Sequence, residues 1–190
     1  MWKKVSSEEI VSNRWIGVTK EKVQLPNGEV IEDFYKVRVS NSSAVIALTD
    51  EGNIVLKSEY RHCYEKELIE VPSGVFEPGE SDPLDVAKRE LLEETGYASD
   101  DWTYLGETIE DPAKLTNTIH LFLAKSCKKI SEQHLDKTEE IDVLVIPLDD
   151  AVDMVMDNRI CCNSTAHAVL KAKELRNRKM ICGCIFMGIS

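Results

Sequence analysis

Apolar and polar residues alternate from Trp15 to Val39 around the turn signal Pro26-Asn27-Gly28, the pattern of a β-hairpin. Ala44 to Leu48 and Asn53 to Tyr60 are strand-like runs joined by Thr49-Asp50-Glu51-Gly52, which predicts a second hairpin. Leu68 to Val71 is a further short strand that ends at Pro72-Ser73-Gly74. After a loop containing Pro78-Gly79 comes a strong helix start: Asp82 at the N-cap, Pro83 at the first helical position and Asp85 at the reach-back position of a capping box. Gly96 supplies the stop. Trp102 to Glu107, Thr118 to Ala124 and Ile141 to Pro147 read as strands, whereas Leu148 to Asp157 and Ser164 to Asn177 have helical spacing. Many strands with two or three helices, not strictly alternating, predict an α+β layered fold rather than a doubly wound sheet. The apolar tail, Met180 to Ser190, is too short to span a bilayer and is expected to be a packing or subunit strand.

Composition narrows the class. A chain of 190 residues, 43% hydrophobic and 30% charged, makes one globular domain with at most a small appendage, and excludes collagen, coiled-coil and disordered classes. Its formal charge of -11 repels nucleic acid and anionic membrane. No basic patch offsets it: the densest stretch, Lys171 to Lys179, is interrupted by Glu174 and reads as a solvated helix face. Neither a nucleic-acid nor a membrane partner is therefore expected. Met1 to Ile10 holds lysines without a following apolar run, so the expected location is the cytoplasm. The six cysteines lack zinc-site spacing and are expected to be free thiols.

The candidate chemistry lies in Arg89-Glu90-Leu91-Leu92-Glu93-Glu94-Thr95-Gly96. At about 100° per residue, Glu90, Glu93 and Glu94 share one sector of the helix, while Leu84, Ala87 and Leu91 gather on the other side. Like charges at this spacing repel, so something cationic belongs among them. Clustered carboxylates suit a hard divalent ion such as Mg²⁺ or Mn²⁺; a merely solvated acidic face is the alternative.

The frame around these glutamates, from Gly74 through Glu80 to Arg89–Tyr97, closely resembles the signature of the Nudix hydrolases. Chance agreement at its fixed positions is on the order of 10⁻⁸. One departure is visible: eight residues, Ser81 to Lys88, separate Glu80 from Arg89, one more than the family pattern. It leaves the glutamate register untouched and bears on Glu80 alone. The resemblance implies a Nudix fold, a mixed β-sheet sandwiched between α-helices, here with an N-terminal β-hairpin extension. It also implies Mg²⁺-dependent hydrolysis of a nucleoside diphosphate linked to another group, with Mn²⁺ a possible substitute. Carried over by position, the metal ligands are Glu90, Glu93, Glu94, the Ser73 carbonyl and the accessory Glu80, and Arg89 orients the glutamates.

Outside the signature the chain is most similar to the ADP-ribose pyrophosphatases, through Glu59-Tyr60-Arg61 with Leu68 to Gly74, through Pro112 and Ile119 to Ala124, and through Glu139 to Val143 with Pro147-Leu148. This similarity implies ADP-ribose as substrate, with GDP-mannose or another nucleotide sugar as the alternative and a non-catalytic ligand sensor as the less favoured one. It places a general base at Glu139 or Glu140, behind the loop Ser131 to Thr138, with Glu132 and Asp136 as further candidates. Arg61 would pair with the diphosphate, and Trp15 and Phe34 would stack on the base. A hairpin that cannot bury both faces within its own chain implies a homodimer. The expected division is residues 1–40 for dimerisation and substrate contact, 41–178 for the hydrolase domain, and 179–190 for the tail.

Overall fold

The computed structural model describes residues 1–185, with side chains as far as Arg178. The chain begins with an antiparallel three-stranded sheet of β1 (Lys3–Ser12), β2 (Gly17–Gln24) and β3 (Val30–Arg38), in that order. β2 and β3 form the expected hairpin, and Gly28 supplies the positive φ, 91°, that its turn requires. β1 is an addition that the sequence pattern does not announce. Every residue of it is exposed, so no core imposes alternation on it, and its main-chain ladder to β2 defines it. Trp15, expected within the hairpin, lies instead in the bend between β1 and β2. There Asn13 Oδ1 accepts hydrogen bonds from the amides of Trp15 (2.8 Å) and Ile16 (3.0 Å).

The main body is a mixed seven-stranded sheet. It contains β4 (Ser42–Leu48), β5 (Asn53–Arg61), β6 (Lys66–Glu70), β7 (Ser73–Val75), β9 (Asp101–Thr108), β10 (Ile119–Lys125) and β12 (Ile141–Pro147). The path runs β12-β5-β4-β10-β9, with β6 on β5 and β7 on β4; β10 is parallel to β4 and the other pairs are antiparallel. A two-stranded ribbon joins β8 (Tyr97–Ala98) to β11 (Lys128–Lys129). The helices are α1 (Pro83–Thr95), α2 (Leu148–Met156) and α3 (Asn163–Ile185).

Both faces of the sheet are covered. Val45, Ala47, Val55 and Phe122 pack with Ala87 and Leu91 of α1, while Ile46, Ile54, Leu56 and Leu121 pack with Leu148 of α2 and Val169 of α3. Alternate residues of β4 and β5 thus serve opposite cores, which is why those strands read as continuous apolar runs. α1 starts as its sequence dictates. Asp82 Oδ1 accepts from Leu84 N (2.9 Å) and Pro83 needs no amide partner, but the expected reach-back bond from Asp85 is not made, and that residue contributes only a negative charge to the first turn. It ends at Gly96, φ 74°, whose amide donates to Leu92 O at 2.8 Å. A Cβ there would lie 2.2 Å from Ser131 O, so the stop and the neighbouring loop both demand glycine.

The tail departs from expectation. Instead of a strand beginning at Met180, α3 continues to Ile185, because no proline interrupts it and extending a helix costs less than starting a new element. The rest of that stretch lies outside the described residues. No helix among the described residues is long and apolar enough to cross a membrane.

Candidate active site

α1 does not present its glutamates to open solvent. Glu94 is 2% exposed and Glu90 is 8% exposed, while Glu93 remains accessible. Their carboxylates enter a cleft of about 450 Å³ bounded by β4, β5, β7 and the loop before β12. The Glu94 carboxylate is gripped from two sides, by the Lys57 ammonium of β5 and by the Ser73 amide (2.9 Å). Gly74 makes room for the second carboxylate, since a Cβ on it would fall 1.8 Å from Glu90 Oε1. The glycine at this point is a clearance for the Glu90 side chain rather than a turn residue.

Arg89 gathers the remaining groups. Its Nε donates to Glu80 Oε1 (2.8 Å), Nη1 to Glu90 Oε1 (2.7 Å) and Glu93 Oε2 (3.1 Å), and Nη2 to Glu80 Oε2 (3.0 Å) and Val75 O (3.2 Å). The fork geometry of a guanidinium is what allows one side chain to orient three carboxylates at once. The surplus residue near Ser81 is absorbed in the turn where Glu80 N bonds Glu77 O (3.0 Å), and Glu80 still reaches Arg89. The Arg89 hydrogen bonds hold the Glu80 carboxyl below its ordinary pKa, and the Glu80 pairing raises that of Arg89.

Burial and crowding set the charge state of the centre. Burial pushes Glu94 up to about 8 despite the Lys57 charge beside it, and burial also raises Glu90 against the pull of Arg89. Burial works against the charge on Lys57, but Glu94 and Glu59 outweigh it and keep the ammonium protonated. In both glutamates burial outweighs the nearby cations and favours the protonated carboxyl. Glu59 Oε2 is buried and ion-paired to Lys57 Nζ at 2.9 Å. Glu90, Glu93 and Glu94 bring hard oxygen donors to one wall of the cleft, the donor chemistry that a divalent cation takes, although among the described residues no such group is already spaced around an ion.

Arg61 borders the same cleft, its Nε on Glu70 (2.8 Å) and its Nη1 on Glu59 (2.9 Å). Glu139 also lines it, with its carboxylate accepting from Asp136 N (3.0 Å), whereas Glu140 is exposed and outside it. The loop that carries Glu139 is tied to the end of α1. Ile130 N donates to Gly96 O (2.8 Å), His134 N to Glu93 O (2.8 Å) and Gln133 Nε2 to Glu94 O (2.7 Å). Of the other candidates, Asp136 borders the cleft and Glu132 pairs with Lys129 at 3.2 Å. Trp15 and Phe34 are not brought to the cleft within one chain: Trp15 is 66% exposed under Arg14, and Phe34 packs edge-on against Trp2. Lys57 escapes a reading of motifs altogether. Its one signal is a charged residue in the apolar run Ile54-Val55-Leu56, where a strand buried on both faces has no solvated position to offer.

The glutamate helix, joined through one arginine to a glycine-bounded cleft, lies within the segment that comparison with known proteins assigns to a family. The Nudix domain matches residues 39–160, and the N-terminal domain of nucleoside diphosphate sugar hydrolases matches residues 2–37. The chain belongs to the Nudix family, as a hydrolase. An ADP-ribose pyrophosphatase of Bacillus subtilis (strain 168) is 34% identical over 175 residues, 90% of this chain and 94% of that one. The methanol dehydrogenase activator of Bacillus methanolicus is 37% identical over 168 residues, 88% of this chain and 90% of that one. A GDP-mannose pyrophosphatase of Yersinia enterocolitica is 27% identical over 80% of this chain and 85% of its own length. The crystal structure of an ADP compounds hydrolase superposes with a TM-score of 0.80 over 94% of this chain and 95% of that one; at 20% identity it bears on the fold alone.

Proposed function

We propose that the protein hydrolyses the pyrophosphate bond of ADP-ribose to AMP and ribose 5-phosphate, with Mg²⁺ as the physiological ion. The observation that carries this reading is the buried pair Glu90 and Glu94, built against Gly74 and Lys57 on the face of α1. Glu90, Glu93 and Glu94 would hold the ion, with Ser73 and Glu80 as accessory ligands; once bound it supplies positive charge to phosphoryl oxygens and acidifies water. Arg89 keeps the glutamates in register. Arg61, already oriented by Glu59 and Glu70, pairs with the diphosphate. Glu139 takes the proton from the attacking water, whose oxygen forms the new bond to phosphorus as the bridging P–O bond breaks.

The second reading, a GDP-mannose type substrate, is favoured by the relatives named for it and by the nucleoside diphosphate sugar hydrolase match over residues 2–37. A panel of ADP-ribose, ADP-glucose, GDP-mannose, NADH and diadenosine polyphosphates, scored for nucleoside monophosphate release with Mg²⁺, Mn²⁺ or EDTA, separates the two. Preference for GDP-mannose moves the assignment to the second, and no turnover of any member leaves the ligand sensor. The exposed apolar residues of the first sheet, including Trp2, Val5, Ile10 and Trp15, support a homodimer in which residues 1–40 cross to the partner. In that arrangement Trp15 and Phe34 reach the base from the second chain.

A further inference from the structure

Among the described residues Lys57 is the largest side chain to be almost completely buried, at 1% exposed, so its charge is answered by protein and not by solvent. Its ammonium sits between two carboxylates. One belongs to Glu94 of the helix; the other belongs to Glu59, whose Oε2 lies 2.9 Å away. Opposite charges continue outward, from Glu59 Oε1 to Arg61 Nη1 (2.9 Å) and from Arg61 Nε to Glu70 Oε2 (2.8 Å). Both oxygens of Glu94 are engaged, Oε1 by Lys57 and Oε2 by the Ser73 amide. A divalent cation that takes this carboxylate therefore has to displace a donor, and the Ser73 amide is fixed in the main chain of β7. The ammonium is free to yield. Residues 57 and 59 face the same side of their strand, and a point charge on a flexible four-carbon stem can lean from one carboxylate to the other without meeting water. Arg89 lacks that freedom, since Glu80, Glu90, Glu93 and the Val75 carbonyl hold its guanidinium together.

We propose that Lys57 is a stand-in for the divalent ion: its ammonium holds Glu94 while no ion is bound and leans to Glu59 when one arrives. The inference rests on the reading above in which the glutamate helix binds the ion. A buried carboxylate left without a partner is costly, and the lysine keeps Glu94 paired in either condition. Its competition also weakens ion binding, so the centre exchanges its ion instead of retaining it.

Titration of the full chain with Mn²⁺, followed by electron paramagnetic resonance and without substrate, tests this. Lys57→Met binds Mn²⁺ about tenfold or more tightly than wild type, the scale expected when a charge in contact with a ligand oxygen is removed. Lys66→Met takes the same charge from an exposed position on β6 and stays within about twofold of wild type. Thermal melting gives a second readout. With the stand-in gone, EDTA lowers the melting temperature of Lys57→Met further than that of wild type, and Mn²⁺ restores it. Glu59→Gln decides the matter if Lys57→Met does not fold: it removes the ammonium's other partner, fixes Lys57 on Glu94 and weakens Mn²⁺ binding. Equal or weaker Mn²⁺ affinity in Lys57→Met, or unchanged affinity in Glu59→Gln, would overturn the proposal. Glu94→Gln separates this failure from that of the underlying reading. If Glu94→Gln weakens Mn²⁺ binding and Lys57→Met does not strengthen it, the stand-in alone falls; if Glu94→Gln binds Mn²⁺ as wild type does, the ion site on the helix falls with it.

Discussion

At the scale of single residues, Glu94 is where the proposed catalytic role can be tested apart from folding. Glu94→Gln retains the shape and the bond from Ser73 N but loses the charge, so most of kcat disappears while the circular dichroism stays native; wild-type turnover with Mg²⁺ would unseat the metal helix. The same variant has a pH signature. With its pKa raised from 4.5 to about 8, the folded chain holds a proton that the unfolded chain releases. Stability of the metal-free protein therefore falls as pH rises through that window, and the loss is complete above it. Denaturant midpoints at pH 5 and 8.5 will drop less in Glu94→Gln than in wild type, and equal drops would contradict the assignment. Gly74→Ala tests the clearance for Glu90, since the added methyl must displace a carboxylate rather than any backbone. Activity falls by an order of magnitude or more, with a stability change of about 1 kcal/mol or less; unchanged activity means that Glu90 has no fixed place.

Elements explain what the sequence made legible. The ends and carboxylate face of α1 could be read, all but the reach-back of Asp85, because those ends depend on Asp82, Pro83 and Gly96 and not on distant contacts. The burial of that face could not, since it depends on Lys57 arriving from β5 and on the close approach of Gly74, both long-range events. β1 left no trace because an all-exposed strand carries no period, and the continuation of α3 depended on the absence of a breaker more than on any signal. The loop ahead of β12 looked free to close over substrate, yet its first half is spent capping the carbonyls of Glu93, Glu94 and Gly96. If Glu139 is the base as proposed, the segment left free of those ties to carry it is residues 135–140. Glu139→Gln is expected to lower kcat about 10² to 10⁴-fold with KM little changed. Normal kcat there with a collapse in Glu140→Gln shifts the role by one residue.

For the whole molecule, the first sheet is the element least accounted for by one chain. Its exposed aromatic and aliphatic residues gain cover in a homodimer, so light scattering at micromolar concentration is expected to give twice the 21.5 kDa chain mass. Trp15→Ala and Phe34→Ala then raise KM about tenfold without changing metal dependence. A monomer, or unchanged KM in both, would confine the first sheet to a structural role. Lys57 has a consequence at this scale as well. Lys57 pairs with both Glu94 and Glu59, so the chain is expected to fold without an outside ion. Chelation with EDTA is expected to stop turnover while moving the melting temperature by no more than a few degrees, and added Mg²⁺ to restore the rate within the mixing time. A large fall in melting temperature would show the ion to be structural. On the proposed reading, throughput in a cell would follow the supply of free divalent cation like flow through a valve, with no refolding delay at either turn of the handle.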